Sequence, residues 1–128
     1  MLVCAVRIAV GAGLLFSPKR AAHGWIGTDI ERPVSKMLVR SVGIRDLILG
    51  TGGMVALTRG QSAAAWVRAG GTADAVDSVL TTMSFRHLPS FGRFLTLAVT
   101  LFGAVTSFRL ASRVDADEMQ TADDGVLI

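Results

Sequence analysis

The sequence has few of the residues that crosslink chains, bind metals or catalyse reactions. Cys4 is the only cysteine among 128 residues, so an intrachain disulfide is excluded and this side chain is expected to be a small apolar one. The two histidines, His23 and His87, are far apart, and neither has a second ligand at helical spacing. The sequence therefore indicates no metal or haem site, and we expect no cofactor.

Catalytic patterns are equally scarce. No grouping of serine, histidine and acid indicates nucleophilic catalysis, so we name no catalytic residues and expect that the protein is not an enzyme. Gly50-Thr51-Gly52-Gly53 is glycine-rich, but no Lys-Ser or Lys-Thr follows it, as a phosphate-binding loop requires. These glycines are therefore assigned to helix packing.

Ionisable residues are absent from the longest apolar run, residues 94–108. The run is flanked by Arg93 and Arg109, whose guanidinium groups can reach lipid headgroups. Hydrophobic residues make up 51% of the chain, which is high for a soluble domain of this size. These features predict a membrane helix and a partner that is the lipid bilayer.

Acidic residues are concentrated at the C-terminal end, where five of the ten acids follow the last basic residue, Arg113. The preceding residues carry 13 basic against five acidic side chains, a formal charge of +8. The basic residues are dispersed and form no aromatic-basic platform, so we expect no nucleic-acid partner. Residues 111–128 are predicted to form an acidic flexible tail.

The apolar pattern predicts an all-α fold, a four-helix transmembrane bundle within residues 1–110. The helices are expected at about residues 2–16, 37–57, 62–83 and 91–109, with a polar connection at residues 19–36. The first is short for a hydrocarbon core of about 30 Å, and it lacks the basic start and cleavage site of a signal peptide, so we interpret it as a retained helix. The second and third are expected to form a polar seam that the other two cover.

Orientation follows from counting Lys and Arg beside the predicted helices, because these residues resist translocation. Loops 19–36 and 84–90, together with Arg93 near the start of the last predicted helix, account for six of them, against three on the other side. This count favours these loops in the cytoplasm of a multi-pass protein of the cell membrane. The six are Lys19, Arg20, Arg32, Lys36, Arg86 and Arg93.

Charged residues inside the second and third predicted helices are the most unusual feature. A charge at a helix centre costs about 2.5 to 3.5 kcal/mol on insertion scales, so these side chains must pair, reach an interface or line a wet cavity. We predict a polar seam in which glycines allow close packing and Arg40 pairs with Asp77, near Asp74. The charges are Arg40, Arg45, Asp46, Arg68, Asp74 and Asp77, and the packing glycines are Gly43, Gly50, Gly53, Gly70 and Gly71.

Arg45 projects to the opposite side of its helix from Gly43 and needs another partner. The candidates are Asp74, the polar edge of the first helix around Arg7, or a neighbouring subunit. Asp46 and Arg68 form a second candidate pair. The charges themselves have three interpretations: internal salt bridges that fix helix register, a cation site or proton relay at Asp74 and Asp77, or an interface that a partner helix completes.

Part of this pattern resembles a known family. The elements are Arg40-x-x-Gly43-x-Arg45-Asp46-Leu47-x-x-Gly50, then Trp66-x-x-x-Gly70-x-x-x-Asp74-x-x-Asp77, and Gly13-Leu14-Leu15-Phe16-Ser17-Pro18. They are similar to the small four-helix bacterial integral membrane proteins grouped as domain of unknown function 4267. The resemblance covers roughly residues 7–108 and implies an integral membrane protein, without implying an activity.

Two functions compete on this basis. The leading hypothesis is a non-enzymatic small membrane protein that acts as an accessory or assembly subunit through its helices and acidic tail. The partner is expected to be another membrane protein or a second copy of the chain, and a homo-oligomer would favour the alternative. The alternative is an oligomeric transporter or channel component that uses Asp74 and Asp77 to move protons, cations or a small solute.

Overall fold

The computed structural model describes the backbone of residues 1–84, 86 and 90–126, and their side chains except those of residues 25, 28, 90, 117, 118 and 121–126. In these ranges the chain is all-α, which confirms the predicted class. The helices are α1 (Leu2–Phe16), α2 (Pro18–Ile26), α3 (Pro33–Thr58), α4 (Ala64–Met83) and α5 (Ser90–Val126), with a 3₁₀ helix at Gly27–Glu31. The predicted loop 84–90, with His87, lies largely outside the described residues.

The segment predicted as a polar connection is mostly helical. Pro18 ends α1 and also begins α2, because proline lacks the N–H that a helix interior needs but fits the first helical position. The chain bends there by 111°. Gly27, with φ 69°, separates α2 from the 3₁₀ helix, and α3 begins at Pro33, earlier than expected.

Two antiparallel helix pairs build the bundle, α1 with α3 and α4 with α5. A Cβ on Gly11 would lie 2.7 Å from the carbonyl oxygen of Gly43, and one on Gly50 would lie 2.8 Å from that of Cys4. At Gly71 the approach to α5 is looser, since a Cβ there would lie 3.0 Å from Ser107 Cβ. Small residues at these points let the backbones approach closely, which is how membrane helices commonly associate.

The predicted seam between α3 and α4 is therefore wrong in its choice of partner helices. Gly43 and Gly50 face α1, Gly53 lies between Cys4 of α1 and Trp66 of α4, and Gly70 faces Arg7 of α1. A 100° construction identifies which residues share a face of a helix, but it does not identify the neighbour that occupies that face.

Side chains buried in the bundle are mostly small or polar. The largest fully buried side chains among the described residues are Ile30, Val39 and Ser107. Ile30 and Val39 belong to an apolar cluster where α1, α2, the 3₁₀ helix and α3 meet, whereas Ser107 lies on α5. Large apolar side chains point outward instead, on every long helix. Examples are Val6, Val10, Ile44, Ile48, Val76, Val79, Phe94, Val99 and Phe102.

The C-terminal segment differs from the predicted flexible tail. Helix α5 continues past residue 109 to Val126. Ala111 is buried, and Asp115 forms an ion pair with Arg68 of α4, so the start of the predicted tail packs on the bundle. Low hydrophobicity and a single sign of charge are typical of a solvated segment, but they do not exclude a helix. Residues 111–124 include no proline or glycine that would stop α5.

Among the described residues, one helical segment is long and apolar enough to cross a bilayer by length and composition. It is Phe91–Ala116, which contains an 18-residue stretch with mean hydropathy 1.6, of which 17% is buried. A second is added if α1 and the start of α2 are counted as one bent span. Helices α3 and α4, which Arg and Asp interrupt, do not meet this criterion.

Candidate functional site

The candidate site begins with Arg7, in the middle of α1. Its neighbours along the helix are apolar, so its guanidinium group has no local counter-charge. The side chain crosses to α4 over Gly70, where a Cβ would lie 2.8 Å from the guanidinium carbon. The missing side chain at Gly70 therefore makes room for Arg7.

Arg7 bridges two carboxylates from different helices. It donates hydrogen bonds to Asp46 Oδ1 of α3, at 3.1 Å, and to Asp74 Oδ2 of α4. The side chains of Arg7, Asp46 and Asp74 are only 11%, 10% and 12% exposed. Charged side chains are rarely this buried unless they are paired, and here one arginine neutralises charge on two helices.

Arg45 extends the cluster. It donates to both carboxylate oxygens of Asp77, at 3.0 and 2.8 Å, in the bidentate geometry that a guanidinium group favours. It also donates to Asp46 Oδ1 at 3.3 Å. Asp46 Oδ1 thus accepts from both arginines, and the five side chains form one continuous path, which we call the Arg–Asp chain: Asp74, Arg7, Asp46, Arg45 and Asp77.

The Arg–Asp chain contains three carboxylates and two guanidinium groups. With all five ionised it carries one net negative charge, and Arg45 Nε is buried without a hydrogen-bond partner in the described part of the chain. Interactions between these groups are strengthened by their partial removal from water. Loss of one member therefore affects every other member.

Helix α5 contacts the Arg–Asp chain at Asp74. A Cβ on Gly103 would lie 2.6 Å from Asp74 Oδ2, so glycine is needed where α5 passes this carboxylate. One turn further along α4, Ser78 Oγ lies 2.7 Å from Thr100 Oγ1 of α5 and 2.9 Å from the carbonyl oxygen of Asp74. Polar contacts thus link all four long helices at one level.

Four of the six predicted charges meet in this cluster, but not in the predicted pairs. Asp77 binds Arg45 rather than Arg40, whose side chain is exposed near the start of α3. Arg45 reaches α4 because α3 presents a different face to α4 than the sequence construction assumed.

The second predicted pair, Asp46 with Arg68, is also replaced. Asp46 pairs with Arg7 and Arg45, while Arg68 pairs with Asp115 of α5, a residue that was assigned to the tail. Arg68 lies near the start of α4, and α5 is long enough to reach it because the helix does not end at Arg109.

Arg7 is the residue that the sequence reasoning failed to place at the centre. Its signal was present, because a single arginine in the middle of an apolar helix of 15 residues needs a counter-charge elsewhere in the fold. No spacing rule within α1 identifies Asp46 or Asp74 as its partners, since they are far away in sequence.

Within the described residues, no group of three or more His, Cys, Asp or Glu side chains is arranged to hold a metal ion. No protein-family model, curated protein or solved structure matches the chain. The resemblance to the four-helix membrane family stays a prediction.

Proposed function

We propose that this protein is a small integral membrane protein that acts as a non-enzymatic accessory or assembly subunit, with all four long helices embedded in the bilayer. The observation that carries this proposal is the inverted burial: polar and small residues lie inside, and large apolar residues lie outside. Asp46, Asp74, Ser78 and Thr81 are buried, whereas Phe102 is 74% exposed.

In water this arrangement is unfavourable, because burial of apolar surface is the main driving force of folding. In lipid it is favourable, because apolar side chains meet acyl chains while charged side chains pair within the bundle. The contacts through Gly11, Gly43 and Gly50 fit the same environment, since helix association in membranes relies on close packing of small residues.

The Arg–Asp chain supports a structural role for the charges. Each of its carboxylates already accepts a hydrogen bond from a guanidinium group, and the contacts connect α1, α3 and α4. Paired charges of this kind fix which helices are neighbours, while the exposed apolar faces are left for lipid or for another membrane protein.

A first experiment tests membrane insertion. The full chain, expressed with a tag, is expected to stay in the membrane pellet at alkaline pH and to be released by detergent. Val99→Arg, in the exposed apolar part of α5, should reduce insertion, because a charge at the bilayer centre costs about 2.5 to 3.5 kcal/mol. The matched control is Ala116→Arg, at the end of the apolar segment, which should insert normally. Release of the wild-type chain at alkaline pH would refute the proposal.

A second experiment tests the accessory role. The tagged protein, solubilised in mild detergent, is purified and analysed by native mass spectrometry. A reproducible complex with an unrelated membrane protein is the expected result. A homo-oligomer without such a partner would contradict the accessory role.

A transporter or channel component is the second candidate, and one observation favours it: the Arg–Asp chain has one carboxylate more than it has guanidinium groups. If this candidate is correct, vesicles reconstituted with the protein should conduct protons or cations. Asp74→Asn should abolish that flux while it retains the helical content of the wild type. Vesicles without flux above the protein-free level would exclude this candidate.

A further inference from the structure

A second group of charges lies apart from the Arg–Asp chain, where α1 ends and α2 begins. The 111° bend at Ser17 places the first turn of α2 beside the start of α3. Between them is a cavity of about 360 Å³, lined by Phe16, Ser17, Pro18, Lys19, Arg20, Lys36 and Arg40. Four of these seven residues are basic and none is acidic.

The basic side chains converge because of where they lie on their helices. Lys19 and Arg20 belong to the first turn of α2. Lys36 and Arg40 are four positions apart on α3, so they share one face of that helix. The bend at Pro18 turns one pair toward the other.

Glu31 of the 3₁₀ helix holds part of this arrangement in place. Its Oε2 lies 2.8 Å from Lys19 Nζ and 3.7 Å from Lys36 Nζ, so one carboxylate ties α2 to α3. The four basic residues and Glu31 together carry three net positive charges. Arg20 and Arg40, which form none of the ion pairs found among the described residues, hold charge that is not neutralised within the fold.

The N-terminus of α2 adds to the positive electrostatic potential at this cavity. The first turn of α2 contains no acidic residue, and its N-terminus has no side-chain cap. Pro18 has no N–H, and the N–H of Ala21 donates to the carbonyl oxygen of Ser17, so the donors at this end are those of Lys19 and Arg20. These donors and the helix dipole favour an anion. The basic cavity and the uncapped terminus therefore favour the same kind of ligand at the same place.

The surroundings of the cavity are apolar and exposed. Phe16, which lines it, is 78% exposed, and Val34, Met37 and Leu38 on the first turns of α3 are exposed as well. A ligand that matches both features has an anionic group for the cavity and an acyl chain for the neighbouring surface.

We propose that this cavity binds the phosphate group of an anionic lipid headgroup, with Arg20 and Arg40 as its main contacts. The lipid source rests on the proposed membrane location, whereas the phosphate chemistry does not. The site also agrees with the predicted orientation, because loop 19–36 would face the cytoplasmic leaflet, where anionic lipids attract basic segments.

The test uses the full chain in an uncharged detergent, titrated with phosphatidylglycerol or phosphatidylcholine and followed by native mass spectrometry. The wild type should bind one phosphatidylglycerol about tenfold more tightly than phosphatidylcholine, since each basic residue near an anionic lipid surface contributes measurable attraction. Arg20→Gln/Arg40→Gln should lose that selectivity. The matched control, Arg59→Gln/Arg113→Gln, removes the same charge from exposed positions at the other end of the bundle and should keep it.

A competition arm separates the two sources of phosphate. If millimolar inorganic phosphate leaves phosphatidylglycerol bound, the ligand is the lipid headgroup. If inorganic phosphate displaces it, the cavity binds phosphate without needing the lipid, and this result would overturn the lipid proposal in favour of a soluble phosphate compound. Equal affinity for both lipids, or unchanged selectivity in Arg20→Gln/Arg40→Gln with wild-type helical content, would overturn the proposal. Because this arm needs no bilayer, its result is independent of the membrane-insertion test.

Discussion

Replacement of Arg7 by methionine is the sharpest test of the Arg–Asp chain. Methionine keeps an unbranched apolar stem that ends about where Nε of arginine lies, and it removes the guanidinium group from two carboxylates, Asp46 and Asp74. Only Arg45 is then left to balance three carboxylates. Since Asp46 and Asp74 are only 10% and 12% exposed, water does not replace the lost partner.

The magnitude follows from the burial of these groups. Removing one partner of a buried ion pair typically costs about 3–5 kcal/mol, because the remaining charge is left without compensation. A small domain has a total stability of about 5–15 kcal/mol, so Arg7→Met should remove a large part of it. Arg40→Met is the matched control, because Arg40 is exposed, and it should change stability by no more than about 0.5 kcal/mol.

The assay is unfolding in mixed micelles of neutral detergent and dodecyl sulfate, followed by helical circular dichroism. Asp74→Asn is measured alone and combined with Arg7→Met. The combined variant no longer buries the Asp74 charge. Its loss of unfolding free energy should therefore be smaller than the sum of the losses in the two single variants by about 1–3 kcal/mol. A stability of Arg7→Met equal to that of Arg40→Met, or strict additivity, would refute the reasoning.

Three further predictions use the same preparation. Gly11→Ala should destabilise the protein by about 1–3 kcal/mol in the unfolding assay, because the new Cβ would lie 2.7 Å from backbone atoms of α3. The control is Gly24→Ala, which has open space around it and should stabilise α2 by about 0.4–1 kcal/mol. Arg68→Gln should cost at most about 1 kcal/mol, because its side chain is 48% exposed and its ion pair with α5 is hydrated. The pKa of Glu31 should lie below its ordinary value of 4.5, mainly because Lys19 donates a hydrogen bond to the carboxylate, and Lys19→Ala should raise it in a ¹³C-glutamate titration by NMR.

The lowered pKa of Glu31 determines how its ion pair with Lys19 depends on pH. The link between Lys19 and Glu31 is fully present above the ordinary carboxyl pKa and is lost as the pH falls through the folded-state value. The chain contains only two glutamates, so the titration is read from two resonances. A titration midpoint of Glu31 that does not change in Lys19→Ala would contradict this ion pair. In the unfolding assay, equal changes in stability for Gly11→Ala and Gly24→Ala would contradict the close approach of α1 to α3.

The sequence predicted the positions of the long helices well. The apolar run at residues 94–108 lies within α5, and Pro18 stops α1, because proline cannot continue a helix from its interior. The sequence also shows why α2 was overlooked. It is a nine-residue amphipathic helix, too short for hydrophobic periodicity to stand out, and it is stabilised by Ala22 packing in the apolar cluster.

The length of α5 illustrates a second limit. Charge and hydropathy correctly described residues after 109 as polar, but polarity does not decide between a solvated coil and a solvated helix. Ala111 and Asp115 pack against or pair with the bundle, which is a tertiary contact with residues far away in sequence. That contact supports the first turns of the extension.

The amino-acid sequence establishes local features: where helices form, where glycines allow close approach, and that Arg45, Asp46, Asp74 and Asp77 need partners inside the fold. The identity of those partners depends on how the helices pack. Helical periodicity shows which residues share a face, but it does not show which helix packs on that face. In the structure α1 packs on α3 through close glycine contacts, and Arg7 joins the same two helices through Asp46. This packing places Arg7 between two carboxylates and leaves Arg40 at the surface.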